Sequence, residues 1–345
     1  MDRRSFIATA SAATALACAS PMRPAHAWAG LRATPTQRTQ ELMLACPSPE
    51  SAAGLFDEAC VLARDLERAL EARVKIDVVS GPQGSIESIA GKGADLFYGP
   101  EQANAAHVPA LAFVAGLPGR LAMDARGFRI FMEQHGGSAL WAEALEGYGV
   151  TPIYAGHAGE APVLWSRVSL NTLSGRSVAT SGLNAQVVAG LGGAPVPLSS
   201  GETASALGSG RTDAVEIATL TQAIALKIPQ LARYAARAPL ADHAGALSLS
   251  VNTRVWRNWT PQMREAVLSS VRDYSLRRER RDAHSAAILQ QAIAQAYGTI
   301  YYDCKDAPRV RRVGEAVVAE LAGSSEQTRQ FNDDYMAACS QVRLA

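Results

Sequence analysis

The chain has 345 residues, of which 48% are hydrophobic and 19% are charged, with 33 Lys and Arg against 32 Asp and Glu. This length accommodates two domains of roughly 100–200 residues each, and the mixture is typical of a globular protein. The formal net charge of +1 argues against nucleic acid and anionic membrane surfaces as partners. The sequence also contains no unbroken run of the ~20 apolar residues that a membrane span needs.

The beginning of the chain has the three parts of an export signal. Residues 3 and 4 are both arginine, residues 7–19 are weakly apolar, and small residues at positions 25 and 27 suit cleavage. Paired arginines before a weakly apolar run favour the twin-arginine route. We therefore predict a signal peptide over residues 1–27 and a periplasmic location. Lipoprotein anchoring at Cys18 and an uncleaved, helical or disordered N-terminus are the alternatives.

Export changes how the cysteines are interpreted. Cys18 leaves with the signal, and Cys46, Cys60, Cys304 and Cys339 remain, an even number in an oxidising compartment. We predict a disulfide between Cys304 and Cys339, since both lie in the C-terminal segment. Cys46 and Cys60 either pair or are buried thiols. No Cys-x-x-Cys motif supports a zinc knuckle or a redox site.

The chain after the signal opens with a β, α, β unit. An apolar run over residues 41–46 predicts a strand. Apolar residues then recur every three or four positions from about 52 to 73, which predicts a helix, and residues 74–79 alternate with the period of a second strand. This order is typical of a parallel sheet.

One pattern occurs twice along the chain. A short helical segment follows Ser80-Gly81, ends at glycine and leads to Asp95 and an apolar run, and the same order runs from Ser200-Gly201 to Asp213. The glycines suit helix C-caps with a left-handed backbone. We interpret the repetition as two similar α/β lobes; a chance likeness of two α/β turns is the alternative.

Further elements divide the chain. Strand-like segments at residues 149–155 and 247–252 are expected to carry the chain between the lobes. A long helix follows from about 260 to 297, and its charged middle, residues 277–282, is predicted to be a solvated face. We predict lobe I over 38–152 plus 251–310, lobe II over 153–250, and a C-terminal helical segment over 311–345 that packs on the lobes.

Motifs for catalysis are missing from the sequence. It has no His-Glu-x-x-His, no Gly-x-Ser-x-Gly and no phosphate-binding loop. We therefore predict that the protein is not an enzyme. A periplasmic enzyme on a binding-protein scaffold is the third alternative, with His157 and either Glu160 or Glu216 as its candidate pair.

Short segments at matching order and spacing carry a family resemblance. They are Ala94-Asp95-Leu96, Gly116-Leu117-Pro118, Gly136-Gly137-Ser138-Ala139-Leu140-Trp141, Tyr148-Gly149-Val150, Leu173-Ser174-Gly175-Arg176, Asp213-Ala214-Val215-Glu216 and Val251-Asn252-Thr253-Arg254-Val255-Trp256. From about Leu42 to Val310, the chain resembles the solute-binding subunit of TRAP transporters, the DctP-type extracytoplasmic receptors. Within that family it is most similar to the branch that binds 2-oxo acids and lactate.

The resemblance implies an α/β fold of the two-lobe periplasmic binding protein type (type II-like), with hinge crossover strands and a long helix that spans both lobes. It implies capture of a small solute, an organic acid in this family, by closure of the lobes. It also implies delivery to the small and large subunits of a TRAP membrane permease. The family includes dimers, so a homodimer stays open.

The ligand-binding positions depart from the family. Ala179 stands where the family has an arginine that pairs with the ligand carboxylate, and His157 stands where this branch has an asparagine. The resemblance keeps Glu216, which in this branch helps to hold a metal ion beside the ligand, so a sodium or calcium ion with Glu216 as a ligand is expected. The predicted solute contacts are Gln102, His157, Glu160, Thr180, Ser181, Glu216 and Asn252.

These departures leave the charge of the solute open. An anion in a closed cleft without a paired cation costs several kcal/mol, and His157 supplies that charge only if its pKa rises. Glu101, Glu160 and Glu216 would instead make the cleft acidic, which suits a neutral or cationic solute. The alternative function is an interaction or signalling module that keeps the scaffold without ligand binding.

Overall fold

The structure is a computed structural model, and it describes residues 39–48, 54–91, 93–118, 123, 125–158, 163–237, 240, 245–305 and 307–342. The predicted signal peptide, Cys18 and Glu160 lie outside the described residues. The strands are β1 (Gln40–Cys46), β2 (Val74–Ser80), β3 (Leu96–Pro100), β4 (Val150–His157), β5 (Val163–Ser166), β6 (Ser177–Ala179), β7 (Ala194–Val196), β8 (Ala214–Ile217), β9 (Tyr234–Arg237), β10 (Ala246–Asn252) and β11 (Ile300–Asp303). The α-helices are α1 (Leu55–Ala69), α2 (Ala112–Ala115), α3 (Ala125–Gln134), α4 (Gly137–Leu145), α5 (Gly182–Gly190), α6 (Ser200–Ser209), α7 (Leu220–Ala225), α8 (Ile228–Leu231), α9 (Thr253–Asn258), α10 (Pro261–Tyr297), α11 (Ala307–Gly323) and α12 (Glu326–Val342).

The first lobe is built on a five-stranded sheet in the order β2-β1-β3-β10-β4. Strands β1, β2 and β3 run parallel, as the β, α, β pattern predicted, and β10 is antiparallel to both of its neighbours. Helix α1 buries Ala59, Leu62, Ala63 and Leu66, the face that the three-to-four-residue spacing predicted. The helix ends at Ala69, before Glu71 and Ala72 take left-handed backbone angles.

The second lobe is built on a six-stranded sheet in the order β11-β9-β5-β8-β6-β7. Strands β6, β7 and β8 are parallel, while β5 is antiparallel to β8 and β9. Two α/β lobes are therefore present, and the predicted fold class is confirmed.

The sheets divide the chain at different residues from the predicted boundaries. Residues 153–157 of β4 and 246–250 of β10 pair within the first sheet, although the prediction gave them to lobe II. Strand β11 adds to the second sheet beside β9, although the prediction gave it to lobe I. The reason is that β4 completes its hydrogen bonding in the first sheet before the chain leaves that lobe, and β10 begins after the chain has returned to it.

The repeated pattern has a structural basis in its two aspartates. Asp95, directly before β3, accepts a hydrogen bond at 2.9 Å from the backbone N–H of Met43, in the middle of β1. Asp213 accepts the equivalent bond at 2.8 Å from Ser177, at the beginning of β6. Each carboxylate thus ties the beginning of one strand, β3 or β8, to the neighbouring parallel strand, once in each lobe.

Helix α10 contacts both lobes. Thr260 caps it by accepting a hydrogen bond from the N–H of Met263 at 3.2 Å, and Pro261 occupies its first turn. The helix packs on α1 and β4 and, further along, on α7 and α8. Its charged middle is only partly a solvated face, because Arg278 is buried against the first lobe while Arg277 and Arg281 are exposed.

The predicted disulfide between Cys304 and Cys339 is not formed. Cys304 follows β11 and is buried in the core of the second lobe with Leu164 and Val178. Cys339 lies on α12, which packs on α3 and α4, and is buried with Phe113 and Trp141 in the first lobe. The prediction is wrong because Cys304 and Cys339 are close in sequence but are packed in the cores of different lobes, after β11 and on α12.

Cys46 and Cys60 are also thiols in the structure. Cys46 is fully buried, as one of the two alternatives expected, and Cys60 is partly buried on α1. Among the described residues, no helix is long and apolar enough to cross a membrane.

Candidate functional site

The ends of the strands bring one edge of each sheet to the crossovers. His157 ends β4 beside Ala246, where β10 begins. Val163 begins β5 beside Ile217, where β8 ends. Six residue steps separate His157 from Val163, so the two edges lie within about 20 Å of each other. Ligands of open α/β sheets bind at the carboxyl ends of parallel strands, which makes these facing edges the candidate site.

The edge of the second lobe carries a carboxyl group with two donors. Asn184 Nδ2 donates to Glu216 Oε1 at 2.8 Å, and the Thr180 hydroxyl donates to Glu216 Oε2 through a short hydrogen bond. Strand β6 ends at Ala179, Gly182 takes a left-handed φ of 60°, and the first turn of α5 then brings Asn184 back over the end of β8. The Asn184 Oδ1 atom is buried, and no donor among the described residues reaches it.

Burial governs the charge of this group. It raises the pKa of the Glu216 carboxyl to about 7, against the opposing effect of the hydrogen bonds from Thr180 and Asn184. The elements around Glu216 supply no cation, because β5, β6, β8, α5 and α7 contain no Lys, Arg or His. Ala179 is packed among the apolar residues of the second lobe.

The edge of the first lobe carries a second carboxyl group. Glu101 directly follows β3 and is fully buried. Asn104 Nδ2 donates to Glu101 Oε2 at 2.5 Å and also contacts Ser85 Oγ at 2.7 Å. The Glu101 Oε1 atom is buried, and within the described ranges no hydrogen-bond donor reaches it.

Burial also raises the pKa of the Glu101 carboxyl to about 7, although hydrogen bonds from Asn104 and Ser248 oppose the rise. The two lobes therefore present similar groups: a carboxyl at the end of a parallel strand, held by an asparagine, with raised proton affinity.

His157 lies at the end of β4 between the first lobe and α10. Its ring is buried and meets the Phe128 ring edge to face at 5.8 Å between centroids. Its backbone carbonyl accepts a short hydrogen bond from Arg278 Nη1. Arg278 also pairs with Glu58 at 3.0 Å and with Asp282 at 3.2 Å, so its charge is balanced within the first lobe.

The structure brings some of the predicted contacts together and separates others. Thr180 and Glu216 are bonded to each other, and Ser181 is the exposed N-cap residue of α5. Gln102 is exposed in the turn after Glu101, at the edge of the first lobe. Glu160 lies outside the part of the chain that the structure describes.

Asn252 is not part of this group. It ends β10 beside Val150, and seven residues of strand place it about 20 Å from the edge at Ala246. Its side chain accepts a hydrogen bond from the N–H of Arg254 at 2.9 Å and caps α9. Asn directly before a helix is typical of an N-cap residue. This capping role explains the position of Asn252 better than solute binding does.

Sequence reasoning missed Asn184 and considered Glu101 only for the overall charge of the cleft. The signal for Asn184 was its place in the first turn of a helix that begins directly after a parallel strand, where side chains reach back over the sheet edge. Two open concavities, of about 450 and 400 Å³, lie elsewhere on the second lobe around α8. Neither is lined by a predicted contact.

The fold is that of TRAP periplasmic solute-binding proteins. A solute-binding protein from Colwellia psychrerythraea with bound calcium and pyruvate matches with a TM-score of 0.81 at 16% identity, over 89% of this chain and 96% of its own. One from Pseudoalteromonas atlantica with bound sodium and pyruvate has a TM-score of 0.81 at 17% identity, over 89% and 95%.

A third, from Bordetella bronchiseptica, has a TM-score of 0.78 at 16% identity, over 89% and 95%. It is a mixed-occupancy dimer, with copurified calcium and picolinate in one active site and an apo site. No family model matches the sequence, and no curated protein matches it.

The described residues do not provide a calcium site of the usual kind. Calcium takes six to eight oxygen ligands, and no group of three or more His, Cys, Asp or Glu side chains occurs within the described ranges. Both oxygens of Glu216 already accept hydrogen bonds, and Asp303, a further described carboxylate at this edge, ends β11 three strands away from β8. This donor set falls short of the ion.

Proposed function

We propose that the protein is a periplasmic solute-binding protein that captures one small polar solute between its two lobes. The observation that carries this proposal is the pair of facing sheet edges, joined by two crossovers. Each edge has an asparagine and a carboxyl group, which is fully buried at Glu101 and partly buried at Glu216. Such a cleft excludes water when the lobes close, and a few polar groups then gain weight.

Export and delivery follow from the same proposal. The twin-arginine signal over residues 1–27 would carry the chain to the periplasm, with anchoring at Cys18 as the alternative. The partners would be the small and large subunits of a TRAP permease, because the structural neighbours are TRAP solute-binding proteins. A homodimer is compatible with the Bordetella neighbour, which is described as a dimer.

The structural neighbours and the residues of this chain point to different classes of solute. The neighbours bind pyruvate or picolinate with calcium or sodium, which favours an organic acid, and a 2-oxo acid would suit the resemblance. A sodium or calcium ion at Glu216 would need oxygen ligands from the solute or from outside the described residues. Ala179 leaves the carboxylate of such a solute without its arginine.

A thermal-shift screen tests the proposal. The protein is melted with carboxylates, amides, polyols and amines, each with and without calcium, and a solute at 100 times its dissociation constant should add about 2.7 kcal/mol of stability. We expect one chemical class to raise the melting temperature. If no compound does so in either condition, solute capture is contradicted and the interaction or signalling module is favoured.

A further inference from the structure

The structure assigns to the facing edges a solute that carries a protonated amine, and this inference rests on the proposed function. In the proposal, the ammonium group donates hydrogen bonds to Glu216 and Asn184 in the second lobe and to Glu101 in the first. The positive charge that accompanies the neighbours' acids as a metal ion would here belong to the solute itself.

At each edge, one buried oxygen atom has no hydrogen-bond donor among the described residues. Both atoms are acceptors, which supports this assignment. Glu101 Oε1 and Asn184 Oδ1 are buried, and no donor in the described part of the chain reaches either atom. The orientation of the Asn184 amide is fixed, since its Nδ2 donates to Glu216. A buried acceptor without a donor costs about 1–3 kcal/mol, so the complementary solute is one that brings N–H groups.

The charges at the edges point the same way. Glu216 has no cation on the neighbouring β5, β6, α5 and α7, and the nearby α6 contributes only Glu202. Around Glu101, β3 and β10 carry no charged residue, and His157 ends β4.

Two arginines lie near the edges, of which one is paired with carboxylates and the other contacts an aromatic ring. Arg278 is paired with Glu58 and Asp282. Arg237 ends β9, two strands away from β8, and lies 6.0 Å over the Tyr301 ring. A solute carboxylate would therefore meet the carboxyl groups that end β3 and β8, with Arg237 two strands away from β8, whereas an ammonium group meets hydrogen-bond acceptors in both lobes.

The test measures the affinity of primary amines and carboxylates by calorimetric titration. The probes are ethanolamine, putrescine and spermidine against glycolate and pyruvate, the acids with and without calcium. We expect at least one amine to bind without calcium, and Glu216→Gln to weaken it by at least roughly tenfold, as expected for a lost hydrogen bond to a charged group. Glu101→Gln should weaken the same amine from the other lobe.

The matched control is Asp213→Asn, which removes a carboxylate at the opposite end of the same strand. We expect it to leave the affinity for the amine unchanged, while circular dichroism and the melting temperature without solute show that each variant is folded. Glu216 and Glu101 lie on different lobes. If the Glu216 variant does not fold, the affinity of the Glu101 variant for the amine still tests the inference.

Binding of a carboxylate, with or without calcium, and of no amine would overturn the inference and leave the proposed function standing. Binding of no probe at all would overturn both. Equal affinity of the wild type, Glu216→Gln and Glu101→Gln for an amine would place that amine elsewhere and would also overturn the inference.

Discussion

The chain uses its strand-terminal acids in two opposite ways. Asp95 and Asp213 stand where strands begin and bind backbone N–H groups, and the bonds from Ser177 hold the pKa of the Asp213 carboxyl below its usual value. Glu101 and Glu216 stand where strands end, and burial raises the pKa of both carboxyls. The first pair stabilises the sheets, whereas the second is kept at a cost to stability, which is typical of functional sites.

That cost should be measurable as a pH dependence of stability. Because the pKa of Glu101 rises from 4.5 to about 7 on folding, the folded state keeps a proton that the unfolded state loses, and stability falls as pH rises from about 4.5 to 7. The fall amounts to about 3 kcal/mol for this one group. We expect Glu101→Gln to reduce the fall in chemical denaturation series between pH 5 and pH 8.

The control for this series is Glu202→Gln. Glu202 is exposed in the capping box of α6, so its replacement should leave the fall in place. A wild-type protein whose unfolding free energy is constant from pH 5 to pH 7 would show that Glu101 does not bury its proton.

Helix α10 is fixed to the first lobe by one buried arginine. Arg278 joins α10 to Glu58 on α1 and to the last carbonyl of β4, where the chain leaves the first lobe. Tyr98 and Tyr274 lie beside the same cluster, with their hydroxyl oxygens 2.9 Å apart. The helix is therefore fixed to the first lobe directly beside the crossover.

Two neighbouring arginines of α10 allow a matched comparison. Arg278→Met removes a buried charge from Glu58 and Asp282, and we expect a loss of about 3 kcal/mol in unfolding free energy. Arg277→Met removes an exposed arginine that pairs with Asp65 at 2.5 Å, for which less than about 1 kcal/mol is expected. Urea denaturation of both variants provides the measurement, and equal losses would contradict the role given to Arg278.

The C-terminal helices join the two lobes in the whole molecule. Helix α11 packs on α5 of the second lobe, whereas α12 packs on α3 and α4 of the first. Cys304 and Cys339 are consequently buried in two different cores, and the molecule does not depend on a covalent link between them.

Thiol chemistry tests this arrangement. We expect alkylation of the unreduced, denatured protein to modify Cys304 and Cys339, and we expect reductant to leave the melting temperature unchanged. Mass spectrometry of the alkylated peptides is the measurement. A peptide pair joined through Cys304 and Cys339 would contradict the structure.

Local periodicity was enough to predict most of the fold. The spacing along α1 predicted its buried face, and the repeated turn and aspartate pattern predicted two similar lobes. The boundaries between the lobes were harder to predict from the sequence. The sheet to which β4, β10 or β11 belongs depends on pairing between residues far apart in the chain. The Cys304–Cys339 prediction was wrong for the same reason.

The candidate site was predicted only in part. Thr180 and Glu216 were expected at the site, and the structure bonds them to each other. Asn252 was expected as well, but its role as a helix cap is local, and only the strand register places it at the far edge. Asn184 was missed although it lies in the first turn of the helix after β6, because its partner Glu216 belongs to β8, 32 residues further along the chain.

The central claim is that the facing edges capture one small solute, and native mass spectrometry tests it most directly. The protein is sprayed with the solutes of the thermal-shift screen, and the number of bound molecules is counted for the wild type and for Glu216→Gln. The account predicts a complex of one solute per chain that is lost or strongly reduced in the variant. No complex with any solute, or an equally abundant complex in the variant, would contradict it.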